Sequence, residues 1–394
     1  MASVAKTGEW LPGRPEYSLL ALGVVLTIAG LVVVYSASFV IGLARYGSGQ
    51  YFVIRQAAWA LLGGVLMLIA LRTDYRVYRA FAVPLMLATL LALAAVVFVG
   101  QEAGGARRWL GVGELTVQPA EFAKFTVIVY VAAWLASKGN SIRSMQDGLL
   151  PFVVIIGSVA ALILLQPNLG TTFVIVSVTL AMFWAAGASL AQIITLGFAG
   201  LGALAILATV EGYRMDRLTA FFDAESDPLG HGFQTLQALI ALGNGGVTGL
   251  GLGASRGKFF YIPESHTDGV YAVLGEELGF VGTSLVLLLY VALMVVGFRI
   301  ARRARDQFGF LVATGITTWL VFQALVNIGG IVRVIPLTGV PLPFLSYGGS
   351  ALAAEMLALG VLLNISRYGA DRGGFLERER APTSRRQVVR RVRA

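Results

Sequence analysis

The run Leu19-Leu-Ala-Leu-Gly-Val-Val-Leu-Thr-Ile-Ala-Gly-Leu-Val-Val-Val-Tyr-Ser-Ala-Ser-Phe-Val40 carries no charged residue. Coiled as a helix, it reaches across about 30 Å, the thickness of a bilayer's hydrocarbon. Comparable runs recur at Ala57–Leu71, Ala80–Val99, Ala120–Ala136, Leu149–Leu165, Thr171–Ala186, Ile193–Val210, Tyr271–Val296, Phe308–Ile328 and Ala351–Leu363. The spacing predicts an all-α polytopic membrane protein of about ten transmembrane helices. Only 13% of the residues are charged and 57% are hydrophobic, against about 25% charged in soluble domains, which excludes a water-soluble globule. The 48 glycines among 394 residues exceed the usual ~7% and suit close helix packing and backbone folded back at membrane depth. The absence of cysteine excludes disulfides, thiolate metal sites and a cysteine nucleophile, and His231 and His266 are too few for a histidine metal cluster. The segment Met1–Tyr17 precedes a full-length run with no small-residue cleavage site, so the first run is expected to be a span and not a signal peptide.

An even number of spans places both termini on one side. The N-terminal tail (residues 1–18), the even-numbered loops and the C-terminal tail (368–394) hold Lys6, Arg14, Arg72, Arg76, Arg79, Lys138, Arg143, Arg299, Arg302, Arg303, Arg305 and the arginines from Arg367 to Arg393, 20 of the 30 lysines and arginines. The positive-inside rule makes that side cytoplasmic and leaves residues 19–367 as one transmembrane domain of a bacterial inner membrane. The arginine-rich C-terminal tail reads as a disordered segment held to anionic lipid and not as a nucleic-acid arm. The opposite, extracytoplasmic side receives Gly104–Pro119, Gln166–Gly170, Glu211–Val270 and Gly329–Gly349, so chemistry is expected there. The large loop between the seventh and eighth spans, residues 211–270, exceeds what a connector needs. Within it, Gln234–Leu242 is too short to cross and reads as a re-entrant or interfacial helix. No internal repeat signals an inverted-repeat transporter.

Glu121 and Lys124 stand three apart in Gln118-Pro-Ala-Glu-Phe-Ala-Lys124. They read either as a self-neutralising pair on one helix face or as a cation aimed into a polar cavity, as ionisable residues inside membranes usually are. Asp268 closes Phe259-Phe-Tyr-Ile-Pro-Glu-Ser-His-Thr-Asp268 just before the eighth span. It is either that helix's N-cap or a general base within reach of a sugar hydroxyl. Glu276 and Glu277 follow two turns on, placed to anchor loops or to act on Asp268 by like charge. The glycine-rich stretch Gly243–Lys258 lacks the spacing of a Walker A loop, yet its amides with Arg256 and Lys258 could hold a pyrophosphate; the alternative is a flexible loop with two solvated charges. Arg107 and Arg108 offer a further anion contact beside Trp109, whereas Arg214 and Arg217 fit a solvated segment. Between Asn327 and Ser350, prolines and glycines in an apolar context cannot continue a helix, so this loop must pack on protein or line a cavity.

Six stretches in order, Gly105-Ala-Arg-Arg-Trp109, Gln118–Lys124, Gln166-Pro-Asn-Leu-Gly170, Pro263–Asp268, Glu276-Glu-Leu-Gly279 and Pro341–Ser350, resemble the signatures of the SEDS proteins over about residues 17 to 367. Tyr35–Ser38, Tyr51–Gln56 and Leu274–Glu277 look more like the division branch, FtsW, than the elongation branch, RodA. The resemblance implies a peptidoglycan glycosyltransferase that polymerises lipid II into glycan strands on the outer face of the membrane. It also implies a class B penicillin-binding transpeptidase as partner, beside other divisome or elongasome membrane proteins and membrane lipids. Inversion at the anomeric carbon needs a base and a neutralised leaving group. The resemblance assigns Asp268 as base and Lys124 as its orienting cation or a pyrophosphate contact. Arg108, Glu121, Arg256, Lys258, Glu264, Glu276 and Ser346 are the candidate substrate-binding residues. A divalent cation, magnesium or manganese, could share the pyrophosphate, and no organic cofactor is expected. A lipid II flippase and a scaffold that activates the transpeptidase are the rival readings. Three positions depart from the family pattern: Gly269 and Val270 after the Thr-Asp pair, Asn168 for an Asp and Ala120 for a Ser. The long apolar faces Val281–Val296 and Phe308–Val326 are the expected seat of the partner's single span.

Overall fold

The computed structural model describes residues 13–103, 106–112, 115–210, 221–225, 230, 232–259 and 261–369. Arg214, Arg217, His231 and the arginine-rich tail lie outside the described residues. In chain order the helices are α1 (Tyr17–Tyr46), α2 (Tyr51–Arg72), the short α3 (Tyr75–Ala80), α4 (Ala82–Val99), α5 (Pro119–Lys138), α6 (Leu150–Leu164), α7 (Leu169–Ala185), α8 (Leu190–Val210), α9 (Phe233–Gly245), α10 (Val270–Arg303), α11 (Gln307–Ile331) and α12 (Gly349–Arg367). Among the described residues eight helices are long and apolar enough to cross a membrane, α6 being counted with the turn before it as Met145–Leu164, and the apolar α7 and α8 bring the number to the ten expected. The apolar windows of α5, α11 and α12 are 67%, 78% and 89% buried, whereas those of α2 and α4 are 22% buried, so the first three form the centre and the others face lipid. At one end of the bundle the two ends of the domain meet. Gly13 N–H donates to the Arg367 carbonyl (2.7 Å), and Glu16 N–H donates to Ser366 Oγ (3.0 Å), as an even number of spans requires.

Two expectations change. α11 is an interior helix and offers no long lipid-facing surface. α10 alone of that pair presents one, through Phe280, Val281, Leu285, Leu288 and Val295, while its Gly297 is closed against Thr317 of α11. The segment after α4 is also not a plain loop. It forms a three-stranded antiparallel sheet, β1 (Gln101–Ala103), β2 (Ala106–Val112) and β3 (Leu115–Val117), in the order β1-β2-β3. Ala103 pairs with Ala106 and Val112 with Leu115.

The feature that places the site is a break inside α10. Gly279 stands at φ 65° and ψ −163°, so the N–H groups of Phe280 and Val281 lose the carbonyls of Glu276 and Glu277 four residues back. The glycine-rich segment after α9 replaces both sides of this loss. Phe280 N–H donates to the Gly246 carbonyl (2.9 Å) and Val281 N–H to that of Val247 (3.1 Å), while the Glu276 and Glu277 carbonyls accept from Leu250 N–H (3.0 Å) and Gly251 N–H (2.9 Å). Four backbone groups that would otherwise be bare at membrane depth are thereby paired. The approach requires glycine. Gly249 sits at φ +79°, and a Cβ there would overlap the Glu277 carbonyl, just as one on Gly245 would overlap that of Gly275. Gly249→Ala is therefore expected to destabilise the protein by about 1–3 kcal/mol through overpacking, read as a lowered thermal midpoint in detergent. Gly197→Ala, in open space on α8, should leave the midpoint unchanged or raise it.

Candidate active site

Asp268 lies at the head of α10, 9% exposed. The N-cap is Gly269, with no side-chain cap, so the Asp268 carboxylate does not cap the helix. Its Oδ2 accepts from Gln234 Nε2 of α9 (3.4 Å), and its Oδ1 lies 3.2 Å from Thr267 Oγ. The turn around it is closed by the Glu264 carbonyl, which accepts from Thr267 N–H (3.1 Å) and Gly269 N–H (3.0 Å). Glu264 adopts φ +50° and leaves its carboxylate exposed, where it accepts from Thr267 Oγ (3.0 Å). A Cβ on Gly269 would stand 3.0 Å from the Glu264 carbonyl oxygen, so the departure at that position tightens the turn. His266 is wedged between Phe52 and Tyr347, with ring centroids 4.6 and 5.5 Å away, and its carbonyl accepts from Tyr347 N–H (2.8 Å). Burial holds its imidazole below the usual histidine range; the nearby Glu264 charge opposes this and Arg45 reinforces it. At neutral pH the ring is neutral.

Lys124 is not beside Asp268. Its ammonium, 2% exposed, pairs with Glu121 Oε2 (2.7 Å), donates to Gln323 Oε1 (2.7 Å) and lies 5.1 Å from the centre of the Trp319 ring. The self-neutralising pair with Glu121 is present, and the cation also faces Gln323, a buried polar group on another helix. A narrow crevice between α5, α7 and α11, lined by Val127, Ile128, Val174, Val178 and Trp319, runs beside it. Glu355 of α12 completes the cluster. Its Oε2 accepts from Phe344 N–H (2.8 Å), and its Oε1 accepts from Gln323 Nε2 (3.4 Å).

These groups hold the proline-rich segment between α11 and α12 inside the bundle. Its carbonyls accept from Asn327 at Val340 (2.8 Å), from Gln323 at Pro341 (3.0 Å) and from Tyr290 at Pro343 (2.5 Å). Ser346 belongs to this support. Its Oγ accepts from Leu342 N–H (2.8 Å) and its carbonyl from Gln56 Nε2 (3.1 Å), so it shapes the loop.

The anion ligands read from the sequence are redistributed. Lys258 is 5% exposed, and its three donors face the Gly253 carbonyl (2.5 Å), Glu277 Oε1 (3.2 Å) and Ser36 Oγ (3.3 Å). It is an internal strut. Glu276 is another: its Oε2 accepts from Ser255 Oγ (2.6 Å) and Gly257 N–H (3.1 Å). With Leu250, Gly251, Ser255, Gly257 and Lys258 N–H groups all engaged internally, the glycine-rich loop is not a phosphate cradle. Arg108 donates from Nε to the Gln166 carbonyl (3.1 Å) and from an NH2 to that of Pro167, fixing the corner where Asn168 caps α7. Arg107 lies opposite Glu102 in the sheet. Arg256 remains, exposed and without an ion pair among the described residues. Among those residues no three acidic or histidine side chains gather. Sequence reasoning missed Gln234, Gln323, Asn327 and Glu355. Their signal was polarity within an apolar run, and in Gln323 and Asn327 the four-residue spacing of one helix face.

The strut assignment has a direct check. Lys258→Met strands the Glu277 carboxylate and is expected to lose about 3–5 kcal/mol of stability. Lys258→Met with Glu277→Gln should recover most of the thermal midpoint and of the activity; a folded but inactive double variant would restore Lys258 as an anion ligand.

The family model described as cell cycle protein, FtsW/RodA/SpoVE, matches residues 17–371. The stage V sporulation protein E of Bacillus subtilis (strain 168) is 42% identical over 356 residues, 90% of this chain and 97% of that protein. A probable peptidoglycan glycosyltransferase FtsW of Geobacter sp. (strain M18) is 39% identical, covering 88% of this chain and 95% of the relative. Among solved structures, one concerned with the coordination of polymerization and crosslinking by a peptidoglycan synthase complex superposes with a TM-score of 0.73 at 31% identity, over 91% of this chain and 99% of its own. The rod shape determining protein RodA of Thermus thermophilus gives a TM-score of 0.67 at 28% identity, over 90% of this chain and 98% of its own.

Proposed function

The chain belongs to the FtsW/RodA/SpoVE family and is a multi-pass membrane peptidoglycan glycosyltransferase, and from that premise we propose that Asp268 is the general base of an inverting transfer onto lipid II. The observation that supports this is a carboxylate buried at the head of α10 whose capping place is taken by Gly269. In the proposed step the acceptor sugar hydroxyl gives its proton to Asp268 as its oxygen attacks the anomeric carbon of the donor glycan. The bond to undecaprenyl pyrophosphate breaks on the opposite face. Arg256, exposed and without a partner among the described residues, is the cation offered to that leaving group, with Glu264 at the rim of the turn. Lys124 serves as an orienting charge through Gln323 and not as a pyrophosphate contact. The excess of lysine and arginine in the even-numbered loops and tails supports an extracytoplasmic site and cytoplasmic termini. A class B penicillin-binding transpeptidase is the proposed partner, its single span lying along the lipid-facing side of α10.

Polymerisation of lipid II by the purified protein tests the reaction. Asp268→Asn keeps the shape and removes the base, and is expected to lower the rate at least about 100-fold, the low end of a general base's contribution, with the thermal midpoint unchanged. Full activity in that variant would defeat the assignment. Arg256→Ala should mainly raise KM. For the partner, Leu285→Trp with Leu288→Trp is expected to weaken co-purification with the transpeptidase and to reduce partner-dependent polymerisation in a graded way. Unaltered co-purification would move the docking surface elsewhere.

A further inference from the structure

One face of α11 stands between Asp268 and the Lys124 cluster. Gln323 and Asn327 are four residues apart, hence one above the other on that face, and are 0% and 4% exposed. Their amide nitrogens meet consecutive carbonyls of the re-entrant segment, Gln323 Nε2 that of Pro341 (3.0 Å) and Asn327 Nδ2 that of Val340 (2.8 Å). Asn327 Nδ2 also donates to the main-chain carbonyl of Asp268 (2.9 Å). Gln323 Oε1 accepts from Lys124 Nζ (2.7 Å) and from Trp319 Nε1 (2.8 Å). We propose that Gln323 and Asn327 are positioning residues for the glycosyl transfer, a two-rung amide ladder that sets where Asp268 stands relative to the re-entrant loop and the Lys124 cluster. The proposal rests on the reading of Asp268 as the base.

The chemistry of the two amides leaves little choice of role. The Asp268 carbonyl precedes the helix, and the Ala272 N–H that would serve it in a longer helix turns to Gly269 instead (3.0 Å). A donor from outside is therefore needed, and two carbonyl oxygens at one site call for a group with two donors, which an amide NH2 supplies without adding a charge. Holding that carbonyl fixes rotation about the Asp268 Cα–C bond, and so the direction of the side chain from the start of α10. The bond is to the main chain, so it orients the carboxylate without occupying either of its oxygens. Asn327 Oδ1, by contrast, is buried with no partner, so the side chain keeps its two donors despite an unsatisfied acceptor.

Misplacing a reacting group by about 1 Å costs on the order of 100-fold in rate. Asn327→Leu, Asn327→Ser and Gln323→Met are each expected to lower kcat for lipid II polymerisation about 10- to 100-fold, with KM within about twofold. The plateau of the kcat–pH profile should fall while its midpoint stays, because the base is moved and not retuned. Asp268→Asn is measured in parallel. Full activity there would overturn the base assignment itself; an inactive Asp268→Asn with undiminished kcat in both Asn327 variants would overturn the positioning role alone. A rise confined to KM would make the amides substrate contacts, and failure of both Asn327 variants to fold would make Asn327 a folding residue; either result overturns the proposal.

Discussion

A broken helix with nowhere to put its bare backbone governs this protein. In water a glycine break costs little, because solvent takes up the freed groups. In hydrocarbon each unpaired group costs several kcal/mol, so the break at Gly279 forces the segment of Gly246 to Gly251 into one register against it. Once four main-chain bonds fix that register, the side chains of Glu276 and Glu277 lie against Ser255, Gly257 and Lys258. Ser36 of α1 joins through Glu277 (2.6 Å), and the peripheral first helix is tied to the eighth span by a polar contact that lipid cannot replace. The first half of α10, with Asp268 at its head, is thus a short independent element clamped on several sides.

The same constraint recurs at the re-entrant segment before α12. Its prolines prevent a helix, so its carbonyls must find donors inside the protein. Tyr290, Gln323 and Asn327 supply them, Glu355 receives the Phe344 N–H, and Gln56 receives that of Gly348 (3.2 Å). Close backbone approach is again made possible by missing side chains: a Cβ on Gly30 of α1 would overlap the Phe344 carbonyl. The buried side chains of Glu121, Lys124 and Glu355 are tolerated because each meets an ionisable or amide partner, the condition under which such groups persist away from water.

What was legible in the sequence follows from the range of the interactions. The ten spans were readable because apolar length is a local property, and the proline-rich segment because its inability to be a helix is local too. The short helix in the large loop was placed correctly for the same reason, since Gln234–Leu242 falls inside α9. Lys258 was misread because its partners, Ser36 and Glu277, are distant in sequence, and a lysine in a glycine loop looks the same whether it faces a phosphate or a buried glutamate. Ser346 and Arg108 failed in the same way: their contacts are to main-chain atoms that no motif names. The sheet could have been found from the Gly-Gly and Gly-Glu pairs in its sequence, which are hairpin signals, but the surrounding apolar runs set an expectation of helix and loop alone.

The placement of Asp268 follows from these limits. A general base needs a carboxylate that is ionised, aimed and reachable, and the interior of a bilayer opposes the first while a flexible surface loop opposes the second. The head of a half-helix at the membrane boundary reconciles them. The positive end of the helix dipole favours the anion there, and the clamp behind Gly279 stops the short helix from tilting. The Asn327 bond holds the peptide just ahead of the first turn. In the proposed role, aiming is thus done through the main chain, by a bond that leaves the carboxylate oxygens to other partners.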